Sequence, residues 1–207
     1  MKKIMLSAVA LAALGTTVNA QSVRFGIKGG ANFSTAAVEN TTFDTKAPFG
    51  IGGYAGGLAE FSFKKPSDKF KAQLEVNYDF YNLRTKYATP TGDVIGINRV
   101  HAISVPLVGK YFITPSFSVF LGPSFNFNLA SNANTKSGSV KSDKLSTKDD
   151  LNTFQLGGVV GANYYIVKGF FVEARYNYIT PELYKSSRNV SDFGAIHNIQ
   201  VGVGYKF

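Results

Sequence analysis

Apolar and polar residues alternate with a period of two over most of the chain beyond residue 21. The last stretch does so most openly. Ile199, Val201, Val203, Tyr205 and Phe207 take the odd positions, and Gln200, Gly202, Gly204 and Lys206 fall between them. Successive side chains of a strand point to opposite faces, so this is a strand with one apolar and one polar face. The same alternation defines a first strand over residues 22–34, with Val23, Phe25, Ile27, Ala31 and Phe33 on one side and Arg24, Lys28, Asn32 and Ser34 on the other. Further strands are predicted at 50–63, 70–83, 99–112, 117–129, 153–166 and 170–178, which with the terminal stretch makes eight. Tyr54, Leu58 and Phe120 are apolar residues on the polar parity.

The connections alternate too. Polar stretches at 35–49, 84–98, 130–152 and 179–195 are long, and those at 64–69, 113–116 and 167–169 are short. Long loops at one end and tight turns at the other mark an antiparallel up-and-down barrel. Each strand reaches the ~9–11 residues that cross a bilayer at a tilt. No 3.6-residue period persists, and no run of 18 apolar residues occurs in the chain, so no transmembrane helix is predicted.

Alternation alone does not say which face is outward. The polar face is mostly Gly, Ser, Asn and Gln with a few charges of both signs. A water-facing surface would carry many more Lys and Glu. The large apolar groups are also too many for the lumen of an eight-stranded barrel, which side chains fill. The expected fold is therefore all-β: an eight-stranded antiparallel up-and-down transmembrane β-barrel with its apolar face in lipid. Arg24, Lys28, Glu60, Glu75, Asp79, Lys110, Glu173, Arg175 and Lys206 then point inward. They are expected to pair, because an unpaired buried charge costs several kcal/mol. Such a network is a structural plug or an ion path, and the plug is favoured.

Composition fits this picture. The chain holds 21 Gly, 18 Phe and 11 Tyr with no Trp, which suits a crowded interior and aromatic girdles. It has no Cys, which excludes disulfides, thiolate metal sites and a lipid-anchored N-terminal Cys. The formal charge of +9 would admit nucleic acid as a partner. The N-terminus argues otherwise. Lys2 and Lys3, an apolar run at 4–14 broken by Ser7, and Val18-Asn19-Ala20 read as a cleaved signal peptide over residues 1–20. The barrel domain is then 21–207, in the outer membrane of a Gram-negative cell.

Several phrases carry a resemblance. Gln73-Leu74-Glu75, Val105-Pro106-Leu107 with Lys110-Tyr111, Gly122-Pro123, Glu173-Ala174-Arg175-Tyr176-Asn177-Tyr178 and Gly204-Tyr205-Lys206-Phe207 resemble the PorT-type outer-membrane β-barrel family, often labelled porin family, with an OmpX-like eight-stranded barrel. The resemblance spans about residues 22–207. Where that family often continues Tyr-Asn-Tyr with Gly-Leu, Ile179-Thr180 stands here. It implies that assembly machinery reads the end of the last strand, at Tyr205 and Phe207, and that some relatives assist secretion and gliding.

Catalytic parts are not found. His101 and His197 lie on lipid-facing positions four strands apart and are not expected to converge on one substrate. Asp143, Asp149 and Asp150 are interleaved with Lys141, Lys144 and Lys148 and lack EF-hand spacing. Neither a cofactor nor a metal is expected. Arg84, Lys86, Arg99, Lys185 and Arg188 form a basic rim suited to lipopolysaccharide phosphates. The expected function is that of a monomeric, non-enzymatic barrel acting through its outer loops or as an accessory of an envelope complex. The alternative is a narrow pore for small solutes or ions.

Overall fold

The computed structural model describes residues 22–38, 45–63, 67, 69–89, 92–137, 140–141, 145–146, 152–181 and 193–207. The signal-peptide expectation lies outside the described residues. Eight long strands follow one another: β1 (Ser22–Val38), β2 (Gly50–Ser62), β3 (Phe70–Thr89), β4 (Gly92–Thr114), β5 (Phe117–Ser137), β6 (Phe154–Val167), β7 (Phe170–Ile179) and β8 (Phe193–Lys206). Each pairs antiparallel with the next, and β8 returns to pair with β1 from Gly26↔Lys206 to Val38↔Phe193. The ring is closed. Closure gives every strand two partners and leaves no edge, the one way a sheet can satisfy its backbone groups in hydrocarbon.

The pleat then sorts the side chains. Phe25, Ile51 and Leu121 on the outer face are 64%, 60% and 68% exposed, and Val76, Leu107, Val160 and Val201 join them. An apolar surface this continuous exceeds what a water-soluble monomer shows, and it suits lipid. Aromatic rings edge the band. At the short-turn end, Phe63 stacks on Phe70 at 6.1 Å and Tyr205 meets Phe207 edge-on at 5.5 Å. Toward the long-loop end, Tyr78 and Phe80 gather around His101, and Tyr176 and Tyr178 around His197. The ten-residue step in β3 from Phe70 to Phe80 is about 33 Å of strand, which a tilt of about 40° turns into the ~25 Å height of an apolar band.

Tyr54, Leu58 and Phe120, the residues that break the polar parity, point inward and are buried. They fill the lumen beside glycines. A Cβ at Gly161 would collide with the Phe120 ring, and one at Gly204 with Phe171. The tightest turn, Lys168-Gly169 between β6 and β7, places Gly169 at φ 87°, where a side chain would be strained.

The long-loop end departs from expectation. Residues 84–98 are not a loop: β3 and β4 stay in register to Thr89↔Gly92, and β5 runs beside β4 to Ser137↔Val94. Alternation persists there, with Leu83 and Thr85 buried and Arg84 exposed. Pro90 and Thr91 lie outside the described residues. Two-residue ribbons extend the sheet, Thr45–Lys46 against β3 and Val140–Lys141 and Leu145–Ser146 against β5. β8 likewise begins at Phe193, inside the stretch expected as loop.

Candidate functional site in the barrel lumen

The inward positions build the interior in layers. At the short-turn end, Glu60 of β2 is the hub. Lys71 Nζ lies 3.3 Å and Lys110 Nζ 3.5 Å from its oxygens, and Lys206 Nζ donates to Oε2. Register explains the meeting: Lys71 faces Lys110 across β3 and β4, and Lys206 of β8 pairs with Gly26 of β1, next to β2. Tyr165 Oη accepts from Lys110 at 2.8 Å and from Lys206 at 2.6 Å. Phe112 and Phe171 present ring faces to the same ammonium groups, with Lys71 5.0 Å from the Phe112 centroid and Lys206 5.6 Å from that of Phe171.

The middle layer spans the lumen. Arg175 Nη1 and Nη2 donate to the two oxygens of Glu75 at 2.8 and 2.9 Å, a bidentate pair. Glu75 is on β3 and Arg175 on β7, four strands apart in a ring of eight, so the bridge joins opposite walls. Lys28 of β1 closes a four-charge cluster, 2.6 Å from Glu75 and 3.1 Å from Glu173, while Arg175 reaches Glu173 at 2.7 Å. Gln73 and Asn77 donate to Glu75 at 2.6 and 3.2 Å, and Tyr54 Oη to Glu173 at 3.4 Å. The Arg175 guanidinium lies 4.9 Å from the Phe120 centroid. Above this layer Asp79 accepts from Ser104 Oγ at 2.5 Å and Gln200 Nε2 at 2.7 Å.

A third layer is apolar. Ala36, Tyr81, Leu83, Val100, Ala102, Ile179 and Ile196 form one buried cluster at the long-loop end of the lumen. Tyr81 and Leu83 continue the inward parity of Asp79 on β3, and Val100 faces Tyr81 across the β3–β4 ladder.

Of the nine charges expected inside, the structure brings eight into these layers. Arg24 is different. It faces Glu60 in register but sits at the mouth of the barrel with its side chain exposed, because β1 there runs out past the closed interior. Lys71 is not among the nine, although it shares the parity of Glu75 and the structure places it beside Glu60. The aromatic partners Tyr54, Phe112, Tyr165 and Phe171 were not assigned. Phe112 and Tyr165 end apolar strands, so that composition hides their inward direction.

The basic rim is divided. Arg84 and Lys86 lie on the outward parity of β3, and Arg99 faces Asn82 from β4 on that same face. Lys185, Arg188, Asp143, Asp149 and Asp150 lie outside the described residues. His101 and His197 do not meet. Each has its Nδ1 2.6 Å from a tyrosine hydroxyl on the outer face, Tyr78 and Tyr176 respectively. Tyr205 and Phe207 point outward. Among the described residues no group of three or more His, Asp or Glu is placed to hold a metal ion.

Known structures share this architecture. Neisserial surface protein A superposes with a TM-score of 0.54 at 16% identity, covering 90% of this chain and 100% of its own. Ail of Yersinia pestis (TM-score 0.48, 15% identity, 90% of this chain and 100% of that one) and OprG of Pseudomonas aeruginosa (0.44, 16%, 91% and 98%) are more distant. Among curated proteins none matches. The sequence profile of the family described as outer membrane protein beta-barrel domain matches residues 19–178. The chain belongs to that family of outer-membrane barrels.

Proposed function

We propose that this barrel acts at the cell surface as a non-conducting interaction protein. The Glu75–Arg175 bridge supports this most directly: it ties opposite walls together through the centre of the lumen, with Glu75 fully buried. The working surface is the three-stranded sheet of β3, β4 and β5, whose strands are 20, 23 and 21 residues long. A tilted crossing uses ~9–11 residues, so about half of each strand stands beyond the membrane. Short turns mark the periplasmic end and long connections the outer end in such barrels. That orientation puts the sheet outside the cell.

Finer assignments belong to the same reading. The barrel serves as an accessory of a larger envelope complex, as the PorT-type resemblance implies. Residues 1–20 direct export and are cleaved. Tyr205 and Phe207 end the strand that assembly machinery reads. Arg84, Lys86 and Arg99 meet lipopolysaccharide phosphates just above the aromatic girdle.

Single-channel recording in planar bilayers tests the proposal, using barrel purified from outer membranes and checked by heat-modifiable gel mobility. Folded protein with no steps above leak is the expected result. Steady, reproducible steps in the folded protein would overturn it and turn the reading to a narrow pore.

A further inference from the structure

The interior charges are not evenly balanced. In the middle layer, Lys28 and Arg175 face Glu75 and Glu173, two cations against two anions, with Asp79 close above. At the periplasmic mouth three ammonium groups, Lys71, Lys110 and Lys206, converge on Glu60 alone. The ammonium groups outnumber the carboxylate there three to one. The three side chains are buried, Lys110 completely. Like charges in a low-dielectric setting repel strongly. The partners that offset this are neutral: the Tyr165 hydroxyl and the faces of Phe112, Tyr165 and Phe171.

All of this group but the fully buried Lys110 faces a cavity. A vestibule of about 730 Å³ opens at this end, lined by Lys71, Lys206, Glu60, Phe112 and Tyr165. Arg24, Lys69 and Lys168, all exposed, add basic groups to its lining. The volume falls within the ~300–1,000 Å³ of small-ligand sites. We propose that this vestibule binds a phosphate group from the periplasmic side. A phosphate dianion complements the cations that line it, Lys71 and Lys206 with Arg24, Lys69 and Lys168, against the single carboxylate of Glu60. Its several oxygens can accept from Lys71 and Lys206 together, and lysine is a common point-charge partner for phosphate. The surplus volume beside Phe112 leaves room for an organic moiety, so the occupant is a phosphorylated small solute or a phosphomonoester lipid headgroup. The site lies at the opposite end of the molecule from the proposed interaction surface; its geometry is independent of that surface, and only its periplasmic side rests on the orientation proposed above.

The experiment is calorimetric titration of barrel purified from outer membranes in phosphate-free detergent. The probes are inorganic phosphate, phenyl phosphate and lysophosphatidic acid, with chloride and acetate as controls. Saturable binding of phenyl phosphate or inorganic phosphate is expected for a solute site. Saturation by lysophosphatidic acid alone assigns the same site to a lipid headgroup. Lys71→Gln and Lys206→Gln should each weaken the binding about tenfold, the size of a lost charged hydrogen bond. Glu60→Gln should tighten it, because the competing carboxylate is gone, and Lys71→Gln provides the test if Glu60→Gln does not fold. No binding by any phosphate probe would overturn the proposal and leave the lysine group held by Glu60, Tyr165 and the aromatic faces. So would equal binding of chloride and acetate, or binding indifferent to Lys71→Gln.

Discussion

Glu75 accepts hydrogen bonds from four side chains at once: Lys28, Gln73, Asn77 and, through both nitrogens, Arg175. A carboxylate offers about four lone-pair sites, so this one is saturated. Its loss would leave Lys28 and Arg175 to share Glu173 in a dry interior. Removing one member of a buried ion pair costs roughly 3–5 kcal/mol. Glu75→Ala should therefore lower the unfolding free energy by that much, seen as a lower urea midpoint for the fraction that keeps its compact gel mobility. Arg24→Ala, at the exposed mouth, should stay within about 0.5 kcal/mol of the parent. Equal midpoints for the two variants would mean that water screens the middle layer. Alternation in the sequence was enough to put Glu75 and Arg175 on one face of their strands. It could not pair them, because they are 100 positions apart and meet only once β8 has closed on β1. Nor could it give depth along the strand, which is why parity groups the exposed Arg24 with the buried charges.

The strands themselves were legible where one face is in lipid, since every second residue from Ala72 to Phe80 is apolar. Past the outer girdle that rule lapses. Arg84 and Lys86 replace the apolar outward residues of β3, and the segment reads as a polar loop although its ladder continues to Thr89. What holds the extension is backbone pairing and the inward Leu83 and Thr85, not burial in the membrane. It should be separable from the barrel. Replacing residues 85–96 with a two-residue Asn-Gly turn, which suits a two-residue hairpin, should leave gel mobility and strand content of the remaining barrel intact. Amide hydrogen exchange should show the ladder from Phe70 to Asn82 still protected. A chain that no longer folds after this trimming would show that the extension nucleates assembly of β3 and β4 and is not an appended surface.

At the scale of the molecule, two of the filled layers of the lumen lie in series above the lysine group. The outer closure is apolar, made by Tyr81, Leu83, Val100 and Ile196, and the inner one is the ion bridge of Glu75 and Arg175 with Phe120 beneath it. An apolar constriction resists a water column by dewetting, and a filled polar layer resists it by occupancy. Opening either alone should then leave the conductance at leak. Leu83→Ala with Ile196→Ala widens only the outer layer. Glu75→Ser with Arg175→Ser widens only the inner one, and removing both partners together avoids stranding a buried charge. The four changes combined should give small steps in a planar bilayer. Those steps should favour anions, because Lys71, Lys110 and Lys206 then line the remaining narrow path, and rings of basic groups select anions. Steps from the inner variant alone would mean that the apolar cluster does not seal. Cation selectivity in the combined variant would mean that Asp79, and not the lysine group, sets the field along the path.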